Sequence, residues 1–530
     1  MWWKDGVFYQ IYPRSFYDSN GDGVGDLNGI NEKLPHLKWL GIDAFWISPF
    51  YPSPMADFGY DISNYKDIDP IFGTLDDFDQ LLKRAHELGL KLIIDYVANH
   101  SSSIHPWFLE SRSSRDNPKR DWYVWKDPNP DGSPPNNWIS RFDGKSSWEY
   151  DEKTGQYYLH SFLKEQPDLN WRNDEVKKAM LDVMRFWMDR GVDGFRVDAS
   201  YYCMKDPELK DNPNNPDWRP GMDPALRLLE LNSKNHKDIH YFNRWLREVT
   251  EEYGNKVLVG ELYLPFDKLV HHYGENNEYH MPFNFSLIHA LWKADIIGGL
   301  IVEYEKHLPS GAWPNWVLGN HDKPRIASRI NPAQVRNSLL MLLTLRGTPT
   351  IYYGEELGLE NGSVPPEYVH DPLEKNVPGL GLGRDPSRTP MLWDSSANAG
   401  FSTENPWLPV HPNFKGLDVM TQAEQAGSIL NYTRELLRLR RSNLTLVAGT
   451  IEFLHSADDV LVYTRTLGDE QLMIVINLSS DDKAVNLPGN LNVLSTVFET
   501  LQDGTLIEES TLHCPKNQGV ILAVQTVKLQ

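Results

Sequence analysis

The chain has 530 residues, a formal net charge of −21 and an ordinary share of hydrophobic residues. Such a length exceeds one simple core, although an α/β barrel absorbs half of it as a single domain. The acidic balance excludes the basic footprint of a nucleic-acid binder. Two cysteines, Cys203 and Cys514, lie too far apart for a disulfide framework and fit a reducing compartment. Met1 to Gly6 holds no apolar run of signal-peptide length, and no run of about 18 apolar residues occurs anywhere. A soluble cytoplasmic protein without a membrane partner is expected.

Val7–Pro13 reads as a first strand. Asp18-Ser19-Asn20-Gly21-Asp22-Gly23-Val24-Gly25-Asp26 follows, with oxygen ligands at alternate positions. Asp18, Asn20, Asp22, the Val24 carbonyl and Asp26 match the opening of a calcium loop, and Mg²⁺ is the second choice of ion. The usual twelfth-position Glu is replaced by Gly29. An Asp/Asn/Gly-rich turn without metal is the alternative; the clustering of acceptors favours a cation.

Asp43–Pro49 is the second predicted strand. A helix starts at Thr74, with Asp77 at the capping-box position and a stripe of Leu75, Phe78, Leu82, Ala85 and Leu88. Lys91–Val97 is the third strand, ending in Ala98-Asn99-His100. Strand, helix and strand at this spacing imply a parallel sheet. Residues 101–168, rich in Pro, Asn, Asp and Ser, break the pattern and predict an irregular inserted subdomain.

A helix over Asp174–Arg190 leads into the fourth strand, Gly194-Phe195-Arg196-Val197-Asp198-Ala199. Alternation puts Arg196 and Asp198 on one face, and the nearby cation is expected to keep Asp198 ionised. Such a pair could equally close a barrel layer. A second Pro/Asn/Asp-rich insertion spans 205–238. Lys256–Leu262, Tyr279–Phe285, Trp316–Gly319 and Thr350–Glu355 complete eight strand candidates, followed by an insertion near 359–417 and a helix near Ser428–Arg441.

The predicted class is α/β, a (β/α)8 barrel over 1–100 and 169–446, interrupted by the 101–168 subdomain and followed by an antiparallel β-sandwich domain over 447–530. In such barrels the active site lies at the C-terminal strand ends. Asn99-His100, Asp198, Glu261 and His321-Asp322 all fall there. No zinc cluster, phosphate loop or serine elbow is present, and no organic cofactor is expected. Converging carboxylates favour acid/base or covalent carboxylate chemistry. Retaining glycoside hydrolysis needs an ionised nucleophile and a protonated acid about 5–5.5 Å apart. Asp198 beside Arg196 suits the first role. Glu261, following Val257-Leu258-Val259, suits the second through a raised pKa.

Asp95–His100, Gly194–Ala199, Val259-Gly260-Glu261 and Asn320-His321-Asp322, supported by Gly59-Tyr60-Asp61 and Arg384–Trp393, carry a resemblance to the α-amylase superfamily of glycoside hydrolases, in its α-glucosidase and oligo-1,6-glucosidase branch. The resemblance spans nearly the whole chain. It implies Asp198 as nucleophile, Glu261 as acid/base and Asp322 as the carboxylate gripping the sugar 2- and 3-hydroxyls. It implies His100, His321, Phe162 and Arg196 as further substrate-binding residues and Tyr60 as a stacking surface. Asp61, with Arg388, would hold the terminal 4-hydroxyl and close the pocket, so that one glucose leaves from a non-reducing end. The metal loop resembles the branch's structural site. Small α-glucosides are the implied partners; monomer and homodimer both remain open.

Ala199 resembles the α-1,4-cleaving members, whereas Val at that position resembles the α-1,6-cleaving ones. Maltose and short α-1,4-linked oligosaccharides are therefore the expected substrates. Trehalose synthases and sucrose isomerases share the carboxylates, so transglucosylation stays open. Non-catalytic transporter heavy chains resemble the fold too, but those carry an anchor, and the inactive ones have lost the carboxylates.

Overall fold

The structure, a computed structural model, describes residues 1–486, 491–501, 506–508 and 511–526. Eight parallel strands form the central sheet: β1 Phe8–Ile11, β2 Ala44–Ile47, β3 Lys91–Val97, β4 Gly194–Asp198, β5 Val257–Gly260, β6 Met281–Pro282, β7 Asn315–Val317 and β8 Thr348–Tyr352. Consecutive strands pair, β1 returns to β8 with Phe8 opposite Thr350, and a single parallel bridge between Asn284 and Trp316 joins β6 to β7. The sheet is thus a nearly closed barrel. The sixth strand is shorter than Tyr279–Phe285 because Pro282 has no N–H to continue the ladder.

The strands are buried on both faces and accordingly read as apolar runs rather than alternating ones. Phe8, Trp46, Ile93, Val259, Met281 and Val317 belong to one apolar cluster that fills the barrel. A larger cluster joins the outward strand faces to the helices. The helix Leu75–Glu87 begins with the expected capping box, Thr74 with Asp77, and Asp174–Asp189 starts at the N-cap Asn173. In β5 a glycine is required by close approach: a Cβ on Gly260 would lie 2.8 Å from the Tyr279 ring.

Segment 101–168 holds the helix Pro106–Ser113 and a small antiparallel sheet of Trp125–Lys126, Gln156–Leu159 and Trp148–Asp151. After the helix Ile429–Ser442 come two antiparallel sheets. One has five strands, with a hairpin turning at Gly468-Asp469 between Val460–Leu467 and Glu470–Asn477; the other has three. Val485, Leu512 and Cys514 of the smaller sheet pack with Val462, Met473 and Val520 of the larger, as in a sandwich. Residues 487–490, 502–505, 509–510 and 527–530 of that expected domain lie outside the described residues. Two buried arginines, Arg440 of the helix Ile429–Ser442 and Arg465 of the β-domain, tie this region to the barrel. Arg440 and Arg465 donate to the carbonyls of Leu343 and Thr344, capping the C-terminus of the helix Val335–Thr344. Among the described residues no helix is long and apolar enough to cross a membrane, and both cysteines are free and buried.

Candidate active site

Asp198 is the last residue of β4, and Glu261 follows β5 directly. Strand pairing sets Arg196 beside Asp95 of β3. The Arg196 guanidinium binds three carboxylates. Nη1 donates to Asp95 Oδ1 at 2.9 Å and to Asp198 Oδ1 at 2.6 Å, and Nη2 lies 2.7 Å from Glu261 Oε1. The backbone N–H of Ala199 donates to Glu261 Oε2 at 2.7 Å. Asp198 and Glu261 are thus held on the same guanidinium.

The electrostatics correct one expectation. Burial pushes the Asp198 carboxyl well above its ordinary range, and Arg196 only partly opposes this. Burial likewise raises Glu261, against Arg196, with Asp322 adding to the rise. Burial raises Asp95 to about 6. A single guanidinium shared by three desolvated carboxylates cannot keep all of them ionised. Asp198 therefore does not own the charge of Arg196, and the free Asp198–Glu261 pair binds protons more tightly than ordinary carboxylates.

Asp322 differs. Burial raises its carboxyl, but His321, Arg384 and Arg388 together outweigh burial and hold it far below the usual range. Arg384 Nη1 lies 3.2 Å and Arg388 Nη2 3.0 Å from Asp322 Oδ1. His321 is lowered to about 3 by burial and is neutral at physiological pH. Its Nδ1 pairs with Gln10 Nε2 and its Nε2 with the Tyr60 hydroxyl, both at 2.7 Å. The amide of Gln10, as assigned, makes Nδ1 the acceptor and leaves the ring proton on Nε2. The Tyr60 ring stacks on His321 with centroids 5.5 Å apart. His100, lowered to about 4 by burial, packs against Phe162 at 5.2 Å. Asn99 contacts His100 and is itself held by Asp168 and Lys205.

These groups surround a cavity of about 520 Å³ at the C-terminal strand ends. Asp198, Glu261, Asp322, Tyr60, His100, His321 and Phe162 all line it. Asp61, Arg196 and Arg388 are not among the residues that line it. Asp61 turns inward, accepting from Ser53 Oγ at 2.8 Å and the backbone N–H groups of Ala56 and Asp57 at 2.9 and 3.0 Å. Burial pushes its carboxyl up to about 6. Arg196 and Arg388 are buried behind the carboxylates they position; Arg388 also donates to the His321 carbonyl.

The cavity end expected of Asp61 and Arg388 is occupied by Asp57 and Arg384. Arg384 Nη2 donates to Asp57 Oδ1 at 2.8 Å and to Asp371 Oδ1 at 2.7 Å. The sequence signal was weak. Asp57 stands two residues before Gly59, and Arg384 opens a segment that already drew attention. Gln10, Asp95 and Asp168 were also missed as site residues, being ordinary polar positions until the strands are laid side by side. The two insertions roof the cavity with Arg141 and Phe142 from one and Asp223, Leu226 and Glu230 from the other.

The side chains of the expected metal loop bond to its own backbone. Asp18 accepts from the N–H groups of Asn20, Gly21 and Gly23 and from Ser402 Oγ. Asn20 accepts from Asp22 N and Asp22 from Val24 N. Asp26 caps the helix Leu27–Leu40 by accepting from Gly29 N, and also holds Ser19. Among the described residues no three His, Cys, Asp or Glu side chains gather as an ion would require.

Residues 10–449 match the family described as alpha amylase, catalytic domain, and residues 451–509 the maltogenic amylase C-terminal domain. A probable alpha-glucosidase of Rhizobium meliloti (strain 1021) is 42% identical over 503 residues, covering 92% of this chain and 91% of that protein. An oligo-1,6-glucosidase of Parageobacillus thermoglucosidasius is 41% identical over 530 residues, covering 93% of each. Among solved structures, the alpha-glucosyl transfer enzyme XgtA superposes with a TM-score of 0.93 at 40% identity, covering 99% of both chains. The trehalulose synthase MutB from Pseudomonas mesoacidophila MX-45 gives 0.91 at 34% identity, over 99% of this chain and all of the other. With carboxylates gathered at the strand ends of a nearly closed parallel barrel, the chain belongs to the alpha-amylase family of glycoside hydrolases.

Proposed function

We propose that this chain is a retaining, exo-acting α-glucosidase that releases glucose from the non-reducing end of maltose and short α-1,4-linked oligosaccharides. The observation that carries the reading is the Asp57–Arg384 ion pair in the cavity wall beside Asp322. Paired charges next to the third carboxylate offer hydrogen bonds to the hydroxyls of a terminal sugar.

Asp198 attacks the anomeric carbon while the glycosidic C–O bond breaks and Glu261 gives its proton to the departing oxygen. Glu261 then takes a proton from water, whose oxygen replaces the Asp198 ester. The raised affinity of the pair keeps a proton in the site, and the division requires that proton on Glu261 when Asp198 is ionised. Asp322, held ionised by Arg384 and Arg388, supplies negative charge toward the oxocarbenium-like transition state. Ala199, lining the cavity beside the nucleophile, supports α-1,4 preference by leaving room for the departing sugar.

A second reading, transfer of the glucosyl unit to another hydroxyl, is favoured by the likeness to the alpha-glucosyl transfer enzyme and the trehalulose synthase. We also propose a hard cation at the Asp18–Asp26 loop as a structural ion, supported by its alternating oxygen side chains; the loop would have to rearrange to bind it. A cytoplasmic location remains part of the proposal, supported by the two free cysteines. Product analysis with maltose, maltotriose, isomaltose and sucrose tests the main reading. Glucose released singly, with the anomeric configuration retained, is expected; cleavage within maltotriosides or longer chains without terminal glucose release would overturn it.

A further inference from the structure

The charges around the cavity are paired, with one exception. Asp57 meets Arg384, and Asp322 meets Arg384 and Arg388. Asp198 and Glu261 share Arg196. Glu230 accepts from Lys234 Nζ and from Tyr202 Oη, both at 2.6 Å, and Arg141 faces Asp223 and Glu230 at 3.9 and 3.8 Å. The exception is Lys323. It lines the cavity, yet among the described residues its ammonium makes no hydrogen bond and no ion pair; it lies over the Tyr263 ring, 5.7 Å from the centroid. His289 lines the same wall, its ring 6.1 Å from that of Tyr263, and it too makes no hydrogen bond or ion pair.

This wall belongs to the leaving group. Glu261, as the acid, faces the departing oxygen, and Tyr263 stands two residues beyond it. Asn320 donates to the Tyr263 hydroxyl at 3.2 Å and so fixes the ring that carries Lys323. Lys323 is half-buried. Burial lowers the pKa of its ammonium, and Arg141 and Arg384 add to the fall, which Asp322 and Asp223 only partly oppose. Burial lowers His289 to about 4, so its ring is neutral at physiological pH and offers a hydrogen bond without charge. A half-buried cation without a counter-charge is costly to hold, and one aimed into a substrate cavity points to an anion that the substrate brings.

We propose that this site prefers α-glucosides whose leaving group carries a carboxylate, received by the Lys323 ammonium with the His289 ring beside it. The inference rests on the glucosidase reading and narrows its substrate class. One ammonium and one neutral ring match a single negative charge. A phosphate group, at about −1.5 to −2, would leave excess charge among Asp223, Glu230 and Asp322. A carboxylate accepts on both oxygens, so the ammonium and the imidazole can each serve one. The same anion near Glu261 favours the protonated form of that acid, which is the form that starts the reaction.

Maltobionate and maltitol are the probes. Both join glucose through an α-1,4 bond to an open-chain leaving group, and at neutral pH only maltobionate carries a carboxylate. The kcat/KM is measured for each. The wild type is expected to favour maltobionate by about tenfold or more, the range of a hydrogen bond between charged groups. Lys323→Gln and Lys323→Met are each expected to bring the ratio near one; because the ratio is taken within one preparation, partial loss of folded protein cancels. Independently of any variant, gluconate is expected to inhibit maltose hydrolysis by the wild type about tenfold more tightly than sorbitol. No preference for maltobionate in the wild type, an undiminished preference in either variant, or equal inhibition by gluconate and sorbitol overturns the proposal. A protein that releases glucose from none of maltose, maltitol and maltobionate defeats the glucosidase reading itself, and is thereby distinguished from failure of the charge preference.

Discussion

Asp57 and Arg384 meet at 2.8 Å although 327 residues separate them. One comes from the loop after β2, the other from the insertion after β8. Arg384 is anchored from behind by Asp371 and reaches forward to Asp322. The pair thus lines the cavity and braces the third carboxylate. Replacing Asp57 by Asn keeps the shape but removes the charge. The kcat/KM for maltose should fall about 10- to 100-fold, matching the about 1.5–3 kcal/mol of hydrogen bonds to a charged group. Unchanged kinetics on maltose would mean that the pair does not meet the sugar.

Asp198→Asn should abolish hydrolysis and leave the fold intact, since a neutral amide cannot form the glucosyl ester. Circular dichroism and the melting curve check the second half. Glu261→Gln should impair maltose far more than aryl glucosides with good leaving groups, which depart without a proton. Equal losses on both substrate types would remove Glu261 from the acid role.

The carboxyl of Glu355 should contribute a fall in stability as pH rises from about 4.5 toward 7, opposed below about 6.5 by buried histidines such as His100 and His321, which burial lowers to about 4 and 3. Glu355 is fully buried, and burial pushes its carboxyl from 4.5 to about 7. A group raised in the folded state stabilises it fully below the unfolded value and loses that contribution as pH climbs through the folded one. Asp61 and Asp95, both at about 6, act in the same direction. Asp322 and Asp371, held low, change their contribution only at more acid pH. Glu355→Gln should remove this contribution, so that Tm falls less, or rises more, with pH across this window than in the wild type. Parallel Tm-against-pH curves for wild type and variant would refute the assignment.

If the Asp18–Asp26 loop binds a hard cation, a chelator should lower Tm by mass action on the folded state, and Asp22→Ala should do the same. Asp26→Ala is a poorer probe, because it also removes a helix N-cap at a cost of about 1 kcal/mol. Metal content of the purified protein with chelator melting curves decides the matter. No bound metal and an unshifted curve would leave the loop as the self-satisfied turn seen here.

Ala199 follows the nucleophile in the left-handed backbone region, at φ 39°. Val there would crowd the departing α-1,4-linked sugar. Ala199→Val should therefore raise the ratio of isomaltose to maltose kcat/KM, a shift of about 1–3 kcal/mol at most. The same change should lower Tm, since a β-branched residue at positive φ is strained by about 1–3 kcal/mol. Isomaltose preferred by the wild type, or no movement of the ratio in the variant, would defeat the linkage reading.

Much of this was written locally. The strand runs Lys91–Val97 and Gly194–Asp198, the capping box at Thr74 and the Ser428 N-cap follow from apolar runs and from side chains that bond within three residues of themselves. A polar residue ending an apolar strand is likewise visible in one dimension, so Asp198, Glu261 and His321-Asp322 could be picked out before any coordinate. What each carboxylate faces was not written there. Asp61 stands beside Tyr60 in sequence, yet its neighbours Ser53 and Ala56 satisfy it inside the loop, and Asp57 takes the cavity wall. Arg196 sits two residues from Asp198, but lateral strand pairing adds Asp95 and Glu261 and divides its charge among three partners. Chemistry depends on such through-space sums. Helical and strand periodicity reaches only a few residues along the chain, whereas the groups that set a charge state come from loops hundreds of residues apart and meet only when the barrel closes.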